Sequence, residues 1–125
     1  MSERLREHLL RGRVSPLQAR AGTAWHGDWL EVGRQLVHAR MDRRCTEKRE
    51  GDVMHAAARE RLRRVEAAFG GRDTPWYRVA HHIVLLDQEA KAVADLVEID
   101  PRSTMTVLRL ALDELAKVYR LRELG

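Results

Sequence analysis

The chain has 125 residues, with 23 Lys and Arg against 19 Asp and Glu, a formal net charge of +4 and a pI near 9.8. That length fits one domain spanning 1–125. With aromatic residues at 5% and charged ones at 34%, a core must come from Leu, Val and Ala, and the lack of β-branched runs makes an all-α fold the expectation. No apolar run is long enough for a bilayer and positions 1–10 lack a signal-peptide centre, so no membrane partner and a cytoplasmic location are expected. The single cysteine, Cys45, permits neither an internal disulfide nor a cysteine-based zinc site.

Ser2 to Arg11 has the spacing of a short helix, with Leu5, Leu9 and Leu10 on one side and Gly12 as its stop. Ser15-Pro16-Leu17-Gln18 then forms a capping box: serine at the cap, proline at the first helical position, glutamine at the third. The helix it starts keeps Leu17, Ala21, Trp25, Val32 and Leu36 in register to about His38. Gly22, Gly27 and Gly33 interrupt it, each costing about 1 kcal/mol relative to alanine. They imply close backbone packing or a bend near Gly27. Trp25 and Trp29, one turn apart, read as core or interface anchors.

Ala39 to Asp52 loses periodicity and concentrates charge, which reads as an exposed connection. Arg40, Arg43, Arg44, Lys48 and Arg49 are interleaved there with Asp42, Glu47, Glu50 and Asp52, the pattern of a solvated loop. Val53 to Phe69 resumes helix, with Ala57, Leu62, Val65 and Phe69 facing inward and Arg59, Arg61, Arg63 and Arg64 outward. Gly70-Gly71 stops it. Thr74-Pro75 starts a helix from Trp76 to about Leu86, with Val79, Ile83 and Leu86 on its buried side. Asp87 is placed to cap the next helix. The organisation expected is thus N-terminal helices and a charged connection over 2–52, then a helical unit over 53–125.

The last third carries the clearest pattern. Glu89 to Glu98 is amphipathic, with Ala90, Val93, Ala94 and Val97 inward, and ends at Asp100-Pro101. Ser103 to Leu121 comes next, with Leu108, Ala111, Leu112, Leu115 and Tyr119 in one apolar stripe. Its other side carries Arg102, Thr106, Arg109, Asp113, Lys117 and Arg120. Two helices joined by a tight turn, the second longer and bearing Arg and Thr near its start, outline a helix-turn-helix. Glu98 stands where such turns favour glycine. The helix from Trp76 would brace this pair as the third member of a trihelical core.

Catalytic chemistry has little to work with. His81-His82 are neighbours and point about 100° apart on a helix, unsuited to a shared metal. His26, near Asp28, and His38 are isolated, and Cys45 has no placed histidine partner. There is no phosphate-binding glycine loop and no nucleophile elbow. A non-enzyme without catalytic residue, metal or cofactor is expected. The basic excess and the preponderance of arginine suit a polyanion such as DNA, although a GC-rich genome produces the same composition.

The final helix, Val107 to Ala116 with Tyr119 after it, resembles the C-terminal signature of the alphaproteobacterial domain family DUF6456. Ser15 to Gln18 followed by Ala21-Gly22 resembles that family's N-terminal portion. The matched pieces cover about half the chain, and the charged segment 39–52 has no counterpart. The resemblance implies an association with helix-turn-helix regulators, phage-derived proteins and activators of gene transfer agents. The function expected is therefore a transcriptional regulator that binds double-stranded DNA. Arg102, Ser103, Thr104, Thr106 and Arg109 would meet the duplex, and Arg78 and Lys91 would hold its backbone. The same residues admit two alternatives. One is an adaptor docking onto RNA polymerase or another regulator through Val107 and Leu110. The other is a terminase-like packaging component, which would form a homo-oligomeric ring.

Overall fold

The computed structural model describes residues 2–41 and 50–121, with side chains given outside 35–41 and 50–55. The expectations for Cys45 and for the cations of 42–49 lie outside these. The described residues contain no strand and fold into six α-helices. They are α1 (Glu3–Leu10), α2 (Pro16–Met41), α3 (Glu50–Phe69), α4 (Pro75–Ala80), α5 (Ala90–Val97) and α6 (Thr104–Val118). Helix α6 runs through the middle and packs on α2, α3, α4 and α5. Leu108, Ala111, Leu112 and Leu115 are fully buried along its inner side, against Leu5, Trp25, Val65, Val79, Ile83, Val84 and Val93. No described helix is long and apolar enough to cross a membrane.

Local chemistry sets most of the ends. Ser15 Oγ accepts from Gln18 N at 3.1 Å while Gln18 Oε1 accepts from Ser15 N at 2.8 Å, a complete capping box. Four turns, after α1, α3, α5 and α6, share one closing pattern. After α1, Arg13 N donates to His8 O with Gly12 at φ +69°. After α3, Gly71 N donates to Glu66 O with Gly70 at +79°. After α6, Leu121 N donates to Ala116 O with Arg120 at +54°. A left-handed residue there lets the chain turn back onto the orphan carbonyls of the last turn.

Four expectations are corrected. Asp87 does not cap α5, whose cap residue Glu89 makes no side-chain capping bond. Instead Asp87 Oδ1 accepts from Arg4 N at 2.8 Å and, with Ser2 Oγ on Leu5 N, caps α1 from across the fold. Leu86 is 40% exposed, and Leu85 is buried in its place. The cause is a π-helical turn, His81–Leu85, in which Leu86 N reaches back five residues to His81 O. The extra residue in that turn advances the apolar face by one position. On α3, Ala58 is buried and Ala57 exposed. Leu10, assigned to the apolar side of α1, is 76% exposed.

The glycines of α2 differ in kind. There is no helix break at Gly27, since α2 is continuous. A Cβ at Gly22 would stand 2.7 Å from Leu5 Cδ2 and 3.2 Å from Leu112 Cδ2, whereas one at Gly27 would meet nothing within 4 Å. Both contacted leucines are fully buried. Gly27→Ala is therefore expected to stabilise the fold by about 0.5–1 kcal/mol through helix propensity alone. Gly22→Ala gains the same propensity but overpacks the core at a cost of about 1–3 kcal/mol, for a net loss. Urea denaturation of the two variants checks the opposite signs.

Candidate nucleic-acid interface

Helix α5 ends in Glu98, whose φ of +61° takes up the left-handed conformation that favours glycine at such a turn. Ile99 N donates to Ala94 O, and Ile99 packs against the core. Asp100 Oδ1 then accepts from Arg102 N at 2.9 Å, which folds the chain towards α6 as an Asx turn. Pro101 sits in that turn, and α6 starts at Thr104 without a side-chain cap bond. Helices α4, α5 and α6 pack on one another.

Ser103, Thr106 and Arg109 are exposed, as are Arg102 and Lys91. Arg78, on α4, is half-buried. Thr104 departs from the expectation of a surface contact, being only 1% exposed. It lies four residues before Leu108 and so falls on the core stripe of α6. Its hydroxyl has no hydrogen-bond partner. Arg109 is outward but not idle: its Nε donates to the carbonyl of Arg13 at 2.6 Å.

The cations divide by partner. On α1 and α3, Arg4 and Arg11 pair with Glu7, Arg61 with Asp28, and Arg63 and Arg64 with Glu60. Arg72 pairs with Glu66. Lys91, Arg102 and Arg109 have no carboxylate partner among the described residues, while on α6 only Lys117 pairs, with Glu114 at 3.5 Å. Asp113, one turn beyond Arg109, is held by the Gln18 amide at 2.9 Å and does not pair with it.

Two features went unread in the sequence. Asp28 of α2 accepts both Nε and Nη2 of Arg61 at 2.8 and 2.9 Å, and the Tyr119 hydroxyl at 2.7 Å. This junction joins α2, α3 and the end of α6. Burial, then the bond to Asp28, pushes the Tyr119 hydroxyl far above its ordinary range. The second is an aromatic run. Trp25 meets Tyr77 edge-on at 5.8 Å, Tyr77 stacks on His81 at 5.9 Å, and Trp29 meets His81 edge-on at 6.5 Å. No group of three or more His, Cys, Asp or Glu among the described residues is arranged to hold a metal. Comparison with known protein families, curated proteins and solved structures found no match.

Two predictions test this geometry. Thr104→Val removes a buried unpartnered hydroxyl at nearly constant volume. It is expected to stabilise the fold by about 1 kcal/mol and to leave any surface binding unchanged, which a melt and a binding curve check together. The second concerns pH. Burial lowers the pKa of His8, His26 and His81 below their ordinary 6.5, with Arg13 adding to the effect on His8. The unfolded chain therefore binds protons that the folded one resists. Stability is complete above about pH 6.5 and falls as the pH drops below it. The melting temperature should decline between pH 7.5 and 5.5.

Proposed function

We propose that the protein binds double-stranded DNA as a transcriptional regulator of phage or gene-transfer-agent type, with the start of α6 as the helix that approaches the major groove. The observation that carries this reading is the segregation of its cations. Arg102 and Arg109 stand on the outward side of the α5–α6 hairpin with no carboxylate partner among the described residues, while Arg4 of α1 and Arg61, Arg63 and Arg64 of α3 are consumed in ion pairs. Unpaired guanidinium groups flanked by the short polar side chains Ser103 and Thr106 suit phosphates and guanine edges. The left-handed turn at Glu98 and the resemblance of Val107–Tyr119 to a regulator-associated family support the same reading. Lys91 and Arg78 would steady the duplex backbone. Thr104 has no part in the contact.

A second reading rests on two leucines. Leu96 and Leu110 are 48% and 56% exposed on α5 and α6, and Asp95, Glu98 and Asp100 lie on the same hairpin. An apolar pair among acidic groups suits a protein partner such as RNA polymerase, towards which the protein would act as an adaptor.

The deciding measurement is a gel shift of the purified protein on genomic fragments across a salt series. Sequence-selective binding supports the DNA reading. No shift at low salt, together with direct binding to purified RNA polymerase that Leu110→Ser abolishes, selects the adaptor. If Arg109 reads guanine, Arg109→Ala should cost about 1–3 kcal/mol on preferred sites and little on others. An equal loss on all sequences would assign it to phosphate.

A further inference from the structure

We propose that the turn between α1 and α2, Arg11–Val14, is a second element of the DNA-contacting surface, in which Arg13 binds a backbone phosphate and holds Arg109 in place. The inference rests on the DNA reading above and extends it to a part of the chain far from the hairpin in sequence.

Several contacts bring the turn to α6. The carbonyl of Arg13 accepts from Arg109 Nε, across 96 positions of sequence. Five residues further along the chain, the Gln18 amide holds Asp113. Gln18 is also the third residue of the capping box, so one side chain starts α2 and fastens it beside α6. The turn itself is set by Gly12 at φ +69° and by Arg13 N on His8 O at 2.8 Å. Val14, 4% exposed, anchors it in the core. The backbone of Arg13 is thus built into the fold while its side chain remains exposed.

The chemistry of that side chain points to an anion. The Arg13 guanidinium has no carboxylate partner among the described residues, and its contact is Nη1 donating to His8 Nδ1 at 3.4 Å. A guanidinium only donates, so in this contact His8 Nδ1 is the acceptor. An imidazole carries no negative charge in either protonation state, so this contact leaves the charge of Arg13 uncompensated. Arg109 is fixed through Nε alone, so its two terminal nitrogens stay available. Asp113, the carboxylate one turn away, is engaged by Gln18. Two arginines are therefore tied together by a main-chain bond with no acid between them, an arrangement that a phosphate completes.

The test is the affinity of the full chain for a short DNA duplex, with wild type, Arg13→Ala and Arg63→Ala measured over a salt series. Arg63→Ala removes the same charge from a cation that Glu60 already pairs. Losing one phosphate contact lowers the salt slope by about 0.9, equivalent to about tenfold in affinity near 0.1 M salt. Arg13→Ala is expected to show that loss on every sequence, with an unchanged melting temperature, and Arg63→Ala a change within about twofold. Wild-type affinity and slope in a folded Arg13→Ala protein overturn the inference while leaving the DNA reading intact. Equal losses in the two variants overturn it as well, because net charge alone would then account for the effect. A wild-type protein that binds no duplex at low salt overturns both.

Discussion

At Gly22, α2 comes so close to Leu5 of α1 and Leu112 of α6 that a methyl group would stand 2.7 Å from one and 3.2 Å from the other. Val84 closes the same spot at 3.4 Å. A fold with 5% aromatic residues builds its interior from small and medium side chains, so close approach of backbones has to supply the packing density that large rings would otherwise provide. The α2–α6 approach does this and determines what can lie beside it. Trp25, one turn after Ala21, fills the wider space next to the crossing and meets Tyr77. Further along, Asp28 ties Tyr119 and Arg61 into one junction, so that the end of α6 is held to the middle of α2 and of α3 by charge-assisted hydrogen bonds.

Helix α6 has two duties as a result. Its inner stripe, from Thr104 through Leu108, Ala111, Leu112 and Leu115, is the strut that the other helices pack on. Its outer stripe, Thr106, Arg109, Leu110 and Asp113, is exposed, and it is the face that we propose meets a partner. Carrying both faces on one helix holds the outer one in place, since the inner stripe is locked in the core. It also brings the α1–α2 turn alongside, so the face is bordered by a segment from the other end of the chain. A binding site on a packed helix with fixed neighbours holds its geometry better than one on a free loop.

The π-helical turn at His81–Leu85 shows a local irregularity serving a global fit. One additional residue in the turn lets Ile83, Val84 and Leu85 all be buried, in a turn packed on α1, α2 and α5, where a regular helix would have turned one of them outward. Past it, the chain takes a left-handed residue at Asp87, φ +57°, and delivers that carboxylate to the first turn of α1. The acid is stabilised there by free N–H groups and by the positive end of the helix.

Features that depend on near neighbours can be read from the residues alone. The capping box at Ser15 and Gln18, the glycine stops at Gly12 and Gly70, the buried stripe of α6 and the outward set Arg102, Thr106, Arg109 and Asp113 all come from spacing and backbone preference, which act over one or two turns. Features that depend on which helix lies opposite are beyond that reach. Nothing near Asp87 indicates that it caps α1, and nothing near Asp28 indicates that Arg61 and Tyr119 converge on it, because those partners lie 33 to 91 positions away. Gly22 and Gly27 look alike in the sequence, yet only Gly22 has neighbours where a methyl would go. Thr104 looks polar and available at the mouth of α6, and helical phase, counted from Leu108, puts it in the core. Local chemistry fixed the helices and their faces, and long-range packing chose the faces' partners, since side-chain contacts between helices are settled only when every helix has found its neighbour.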